Sequence, residues 1–214
     1  MTTHFILTGL AGYLLGSIPW SVWIGRAWYG LDIRQHGSGN AGATNTFRIL
    51  GKKAGILVLI LDTLKGFVPA FLPPFIFTDA ENSAMSALKI CGGASAVLGH
   101  VYSVFLKFRG GKGVATSLGM MLAIAPLATL LSAGVFLGVW LATSYISLGS
   151  MSAAAVFPFW HYLFYPHASS WQWASVLTLS VLIFWTHRSN IRKLIRGQES
   201  KIYPFKSRKA LRKI

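Results

Sequence analysis

Seven apolar stretches, separated by polar loops of very different character, constrain this chain more than any other feature. They fall at residues 5–28, 54–77, 84–106, 113–124, 126–143, 149–165 and 172–187. A helix needs about 20 apolar residues to cross the ~30 Å hydrocarbon core, and it satisfies its own backbone hydrogen bonds on the way. Several stretches reach that length. Over 214 residues the chain is 53% hydrophobic and only 12% charged, too apolar for an ordinary soluble domain. The expected fold is therefore all-α, a polytopic integral membrane protein of about seven transmembrane helices forming a single domain over residues 1–214. At ~1.5 Å per residue, 113–124 is too short to span alone, so some helices are short or half-spanning. The first stretch lacks a basic leader and reads as one retained helix, not a cleaved signal.

Charge supplies an orientation. Of 20 Lys and Arg, five lie between Arg26 and Lys53, three between Lys107 and Lys112, and ten from Arg188 onward. Loops 78–83 and 165–171 have none. The positive-inside bias then puts the three basic regions on the cytoplasmic side, the N-terminus outside and the C-terminus inside. The basic tail also suits anionic lipid. No groove-reading motif accompanies the charge, so a nucleic-acid partner is not expected. Cys91 is the single cysteine and excludes a disulfide within the chain. Asp62 and Lys65, three apart in an apolar stretch, are expected to form a buried pair.

The unusual polar residues sit in those same basic loops. "GSGNAGATNTFR" runs from Gly37 to Arg48. Its glycines let backbone approach a ligand, Ser38, Asn40, Thr44 and Asn45 offer neutral hydrogen bonds, and Arg48 adds a fixed cationic fork. "FRGGKGVATSLGM", residues 108–120, sets Gly110, Gly111 and Gly113 around Lys112 at the start of a helix. It is not a nucleotide P-loop, because Leu106 stands where the first glycine belongs and Gly113 where the magnesium-binding hydroxyl belongs. A positive helix end, glycine N–H groups and an ammonium still suit a phosphate or a developing oxyanion. In "HRSNIRKLIRGQE", His187, Asn190 and Leu194 share a helical face. Ser147 and Ser150 sit in a bend between two spans, as ligand groups or as hydroxyls bonded to backbone. His100 lacks an acid at the spacing used by soluble glycerolipid acyltransferases, since Phe105 occupies that place. The five acids offer no metal-ligand spacing, so no metal is expected, and no serine triad is visible.

These motifs, with "GSIPW", "LDTLKG" and "SLGS" beside them, closely resemble the signature motifs of the bacterial acyl-phosphate:glycerol-3-phosphate acyltransferases, the PlsY family. The resemblance implies a seven-helix enzyme of the bacterial inner membrane with its active site on the cytoplasmic side. Its reaction would move a fatty acyl group from acyl phosphate to the 1-hydroxyl of sn-glycerol 3-phosphate, giving lysophosphatidic acid and phosphate in the first committed step of phospholipid synthesis. Acyl phosphate, glycerol 3-phosphate and membrane lipid would be its partners, along with a soluble transacylase that makes the donor, and no cofactor would be required. The matching positions imply catalytic roles for Ser38, Arg48, Lys112, His187 and Asn190, and substrate contacts from Asn40, Thr44, Gly110, Gly111, Gly113, Ser150 and Glu199. Ser144 stands where the family pattern leads one to expect a basic residue, and Lys193 where Arg is usual. The competing expectation is a membrane transporter of a phosphorylated solute, which would need ionisable groups along a path through the bilayer.

Overall fold

A computed structural model describes residues 1–203, which form α-helices, two short 3-10 turns and no strand. The first apolar stretch is not one helix. It divides into α1 (Thr2–Ser17) and α2 (Trp20–Tyr29). Pro19 removes an N–H and forces Ile18 out of helical geometry, to φ −59°, ψ 116°. After a polar loop come α3 (Ala43–Ile49), α4 (Lys52–Phe71), the single turn α5 (Pro73–Ile76) and α6 (Asn82–Val101). The chain continues through α7 (Val114–Ile124), α8 (Pro126–Thr143), α9 (Ile146–Phe164), α10 (Ser170–Thr186) and α11 (Arg188–Ile195).

Four segments, Thr2–Tyr29, Lys52–Phe71, Asn82–Leu106 and Pro126–Thr143, are long and apolar enough to cross a bilayer. Helices α9 and α10 have 19 and 17 residues. The expected short piece is α7, whose 11 residues reach only about half the core thickness. Leu10, Leu130, Phe159 and Val181 are among many large apolar side chains left exposed, an outer surface suited to lipid.

Small residues draw the helices together. A Cβ at Gly16 would enter the backbone of Ala96, and one at Gly99 would meet the Tyr13 carbonyl, so α1 and α6 touch almost backbone to backbone. Gly66 against Thr116 and Gly119 against Thr63 do the same for α4 and α7. Met120, Met121, Phe157, Val176 and Leu179 fill the centre between α7, α9 and α10. A second cluster of Val22, Ile33, Ala41, Leu50 and Leu106 seats the polar loop before α4 on the neighbouring elements.

The expected buried pair is present. Lys65 Nζ lies 2.9 Å from Asp62 Oδ1, with both side chains almost fully enclosed. The same ammonium donates at 2.9 Å to the Ile18 carbonyl at the break between α1 and α2. Burying two charges is tolerable only when they are paired and further hydrogen-bonded, and this arrangement supplies both.

Candidate active site

The loop before α3 is shaped by one amide. Buried Asn45 donates through Nδ2 to the carbonyls of Ile33 and His36 and accepts the Ser38 N–H at Oδ1, each at 3.0 Å. Gly37 and Gly39 take the left-handed φ values that let the loop fold over this side chain. Asn45 is thus the loop's internal anchor and is satisfied by it. Asp32 steadies the loop's base through Arg34 and Arg26, at 2.6 and 2.8 Å, and those partners hold its carboxyl well below the usual range. Ser38, Asn40, Thr44 and Arg48 then line a cavity of about 150 Å³.

The glycine loop forms the opposite wall. Gly110 and Gly111 give their N–H groups to the carbonyls of Val101 and His100, at 3.0 Å each. They therefore cap the C-terminus of α6 and are not among the residues lining the cavity, which begins at Lys112 and Gly113. Gly113 is left-handed and starts α7, so the unpaired N–H groups of that helix's first turn stand beside Lys112. Thr186 Oγ1 donates to the Lys112 carbonyl at 3.1 Å and ties the end of α10 to this loop.

The third wall comes from the tail. His187 and Asn190 both line the cavity, while Leu194 does not. Lys112 Nζ donates to Asn190 Oδ1. Asn190 Nδ2 and Ser147 Oγ each donate to Glu199 Oε1 at 2.7 Å. Ser147 and Ser150 lie in the first turns of α9, not in a bend, and Ser150 donates to the Ile146 carbonyl at 2.9 Å while still lining the cavity. Ser144 is outside the cavity lining. It ends α8 in a left-handed conformation, and its carbonyl accepts the Ile202 N–H at 2.8 Å. With Trp140 Nε1 donating to the Ile202 carbonyl at 2.8 Å, this bond straps residues after α11 across the α8–α9 turn. That strap delivers Glu199.

Ser147, Lys193, Asp62 and His100 line the cavity too. Ser147 is one of the two hydroxyls with a ligand reading in the sequence and Lys193 a noted motif position, whereas Asp62 and His100 are not among the expected ligands. "LDTLKG" and "GHVYSVF" carried the only available signal, a charged or titratable group inside an apolar stretch.

Electrostatically the cavity is cationic. Burial pushes the Lys112 ammonium down to about 8, with Glu199 opposing and Arg48 and Lys193 reinforcing that fall. Burial also lowers Arg48, again opposed by Glu199. His187 falls to about 4, through burial first and Lys112 second. Its Nδ1 faces the Ile183 carbonyl at 2.8 Å, so Nδ1 carries the proton and Nε2 the lone pair. Leu59, Val114, Phe136 and Ser150 also line a second, apolar cavity of about 230 Å³ that runs among α7, α8, α9 and α10. Among the described residues no cluster of His, Cys, Asp and Glu has the makings of a metal site.

Fold and cavity together define a multi-pass membrane protein with a cationic cavity adjoining an apolar groove. Residues 6–197 match the family described as glycerol-3-phosphate acyltransferase, and the chain belongs to that family. It is 49% identical over 189 residues to the glycerol-3-phosphate acyltransferase of Trichlorobacter lovleyi, covering 88% of this chain and 93% of the relative. To that of Geobacillus kaustophilus it is 46% identical over 193 residues, covering 90% and 93%. The crystal structure of PlsY, an integral membrane glycerol 3-phosphate acyltransferase, in its glycerol 3-phosphate form superposes with a TM-score of 0.84 at 38% identity, covering 92% of this chain and 95% of that one. The lysophosphatidic acid form of PlsY gives 0.81 at 37% identity, with the same coverage.

Proposed function

We propose that this chain acylates the 1-hydroxyl of sn-glycerol 3-phosphate with acyl phosphate as donor, on the cytoplasmic side of the bacterial inner membrane. The observation that carries this reading is the junction of the two cavities, where a cationic pocket holding Arg48 and Lys112 shares Leu59, Val114, Phe136 and Ser150 with an apolar groove. An acyl phosphate needs that combination, a site for its phosphate and a dry channel for its chain. So does lysophosphatidic acid, the ligand of the second PlsY form.

In this reading Arg48 holds the glycerol phosphate as a bidentate fork, with Ser38, Asn40 and Thr44 beside it. Lys112, the first turn of α7 and the Asn190–Glu199 pair frame the donor phosphate. The glycerol oxygen attacks the acyl carbon, the tetrahedral oxyanion collapses, and the carbon–oxygen bond to phosphate breaks. An acyl phosphate is already activated, so orientation and charge stabilisation supply most of what is needed. The hydroxyl proton passes to the departing phosphate. His187, with a pKa of about 4, is too weak a base for efficient proton abstraction near neutrality. It positions the acceptor by accepting a hydrogen bond from the neighbouring 2-hydroxyl at Nε2, which leaves the proton of the attacking 1-hydroxyl directed at the departing phosphate. A soluble transacylase supplies the donor, and no metal or other cofactor takes part. Membership of an acyltransferase family disfavours the transport reading.

The test is phosphate release by the detergent-purified protein supplied with palmitoyl phosphate, with and without glycerol 3-phosphate, beside palmitoyl-CoA as donor. Acceptor-dependent release with lysophosphatidic acid formed, lost in Lys112→Ala, is expected. Turnover of palmitoyl-CoA alone would overturn the donor assignment.

A further inference from the structure

Three ionisable groups on two membrane-embedded helices meet at the inner end of the cavity. Asp62 and Lys65 come from α4 and His100 from the last turn of α6, and none is more than 6% exposed. Lys65 is spent on Asp62 and on the Ile18 carbonyl. The ring of His100 brings Nδ1 to 3.7 Å from Asp62 Oδ1, and Nδ1 has no hydrogen-bond partner of its own. On its other side Nε2 stands where a Cβ at Gly111 would have to go, and the His100 carbonyl accepts the Gly111 N–H at 3.0 Å. Gly111 directly precedes Lys112. Asp62, His100 and Lys112 all line the same cavity.

We propose that His100 is a positioning residue for acyl transfer, its Nε2 edge bearing on Gly111 while its Nδ1 edge packs toward Asp62 without a hydrogen bond, so that the Gly110–Gly111–Lys112 turn presents the Lys112 ammonium to the donor phosphate. The physical need is plain. A glycine pair preceding a catalytic lysine is the least restrained backbone available, and a 1 Å error in placing a charge costs rate. A rigid ring seated on the turn removes that freedom. The Asp62–Lys65 pair, rooted at the α1–α2 break, gives the ring a fixed support inside the bilayer. His100 acts through Gly111 and Lys112, and its role rests on the acyl-phosphate reading of the site.

Two amide replacements separate this role from mere packing. Gln places its terminal amide at the position of the imidazole Nε2 and keeps the contact with Gly111. Asn reaches only the Nδ1 position and abandons it. His100→Gln is expected to stay within about threefold of the parent kcat. His100→Asn and His100→Leu are expected to lose about tenfold or more, with KM for glycerol 3-phosphate changed less than about threefold. Asp62→Asn combined with His100→Asn is expected to be no worse than the worse single variant, because Asp62 acts only by backing the ring. A second readout needs no donor: inorganic phosphate raises Tm of the detergent-solubilised protein by occupying the Lys112 site, and this shift is expected to survive in Gln and vanish in Asn. Equal losses in Asn and Gln, additive losses in the double variant, or a defect confined to KM would each overturn the proposal. If the parent fails to turn over acyl phosphate while the phosphate shift still sorts Asn from Gln, the donor reading falls and the positioning role stands.

Discussion

Lys112 donates through Nζ to Oδ1 of Asn190, 78 residues farther along the chain, and Asn190 in turn donates to Glu199. This contact fixes which face of the amide is which and aligns the ammonium with the cavity. Asn190→Asp would place a second carboxylate against Glu199 and set a full negative charge in an anion site. At ~4 Å and an effective dielectric constant of about 20, such repulsion is about 4 kcal/mol before solvent relaxation. We expect kcat/KM to fall at least about 100-fold, measured by lysophosphatidic acid formation, whereas Asn190→Ser falls less.

The Lys112 ammonium has a pKa of about 8 in the substrate-free cavity. It is charged below that pH and neutral above it, so anion binding is favoured on the acid side. kcat/KM, which reports the free enzyme, is therefore expected to decline above about pH 8, approaching tenfold per unit. Lys112→Arg keeps its charge throughout and should abolish this alkaline limb while lowering the rate at pH 7, because the guanidinium is larger and planar. An unchanged limb in that variant would assign it to another group.

Glu199 opposes the fall in the Lys112 pKa. Glu199→Gln removes that negative charge and lets the pKa drop further. The alkaline limb of kcat/KM is expected to move to lower pH by about one unit, equivalent to about 1.4 kcal/mol. The same variant also disturbs the acceptors of Ser147 and Asn190, so kcat should fall at every pH.

Asn45, itself buried, makes three hydrogen bonds within its loop. Asn45→Ala leaves the carbonyls of Ile33 and His36 and the Ser38 N–H without this partner. Loss of about 1–3 kcal/mol of stability is expected for such orphaned groups, read as a lower Tm in detergent. KM for glycerol 3-phosphate should rise as well, since the loop carries Ser38 and leads into Arg48.

Ala153 and Ala154 line the apolar groove together with Phe157 and Leu179. Ala153→Phe fills part of that space. Turnover of palmitoyl phosphate is expected to fall about tenfold relative to a much shorter acyl phosphate, since each methylene denied burial is worth about 0.8 kcal/mol. Equal effects on both chain lengths would argue that the chain lies elsewhere.

The membrane class was legible because hydropathy is a local property, visible in any stretch of about 20 residues. The basic loops likewise revealed where polar chemistry gathers, and Ser38, Asn40, Thr44, Arg48, Lys112, His187, Asn190 and Glu199 do share one cavity. Other features depended on contacts between distant segments. Asn45 read as a ligand group like Asn40 and lines the same cavity, but only the fold shows its amide bonded to Ile33, His36 and Ser38 of its own loop. Gly110 and Gly111 read as oxyanion donors, yet their N–H groups face the end of α6. His100 lacked an acid nearby in sequence, and Asp62 reaches it from a different helix.

The sequence by itself determined an all-helical membrane protein, the half-length of α7 and the set of residues able to meet an anion, because apolar length, charge and side-chain chemistry are carried residue by residue. Tertiary structure decided which of those residues face the cavity and which hold others in place. That choice follows from contacts between distant segments: a missing side chain at Gly16, Gly66, Gly99 and Gly119 lets α1 touch α6 and α4 touch α7, and the Thr186 bond to the Lys112 carbonyl holds the end of α10 where Asn190 meets Lys112.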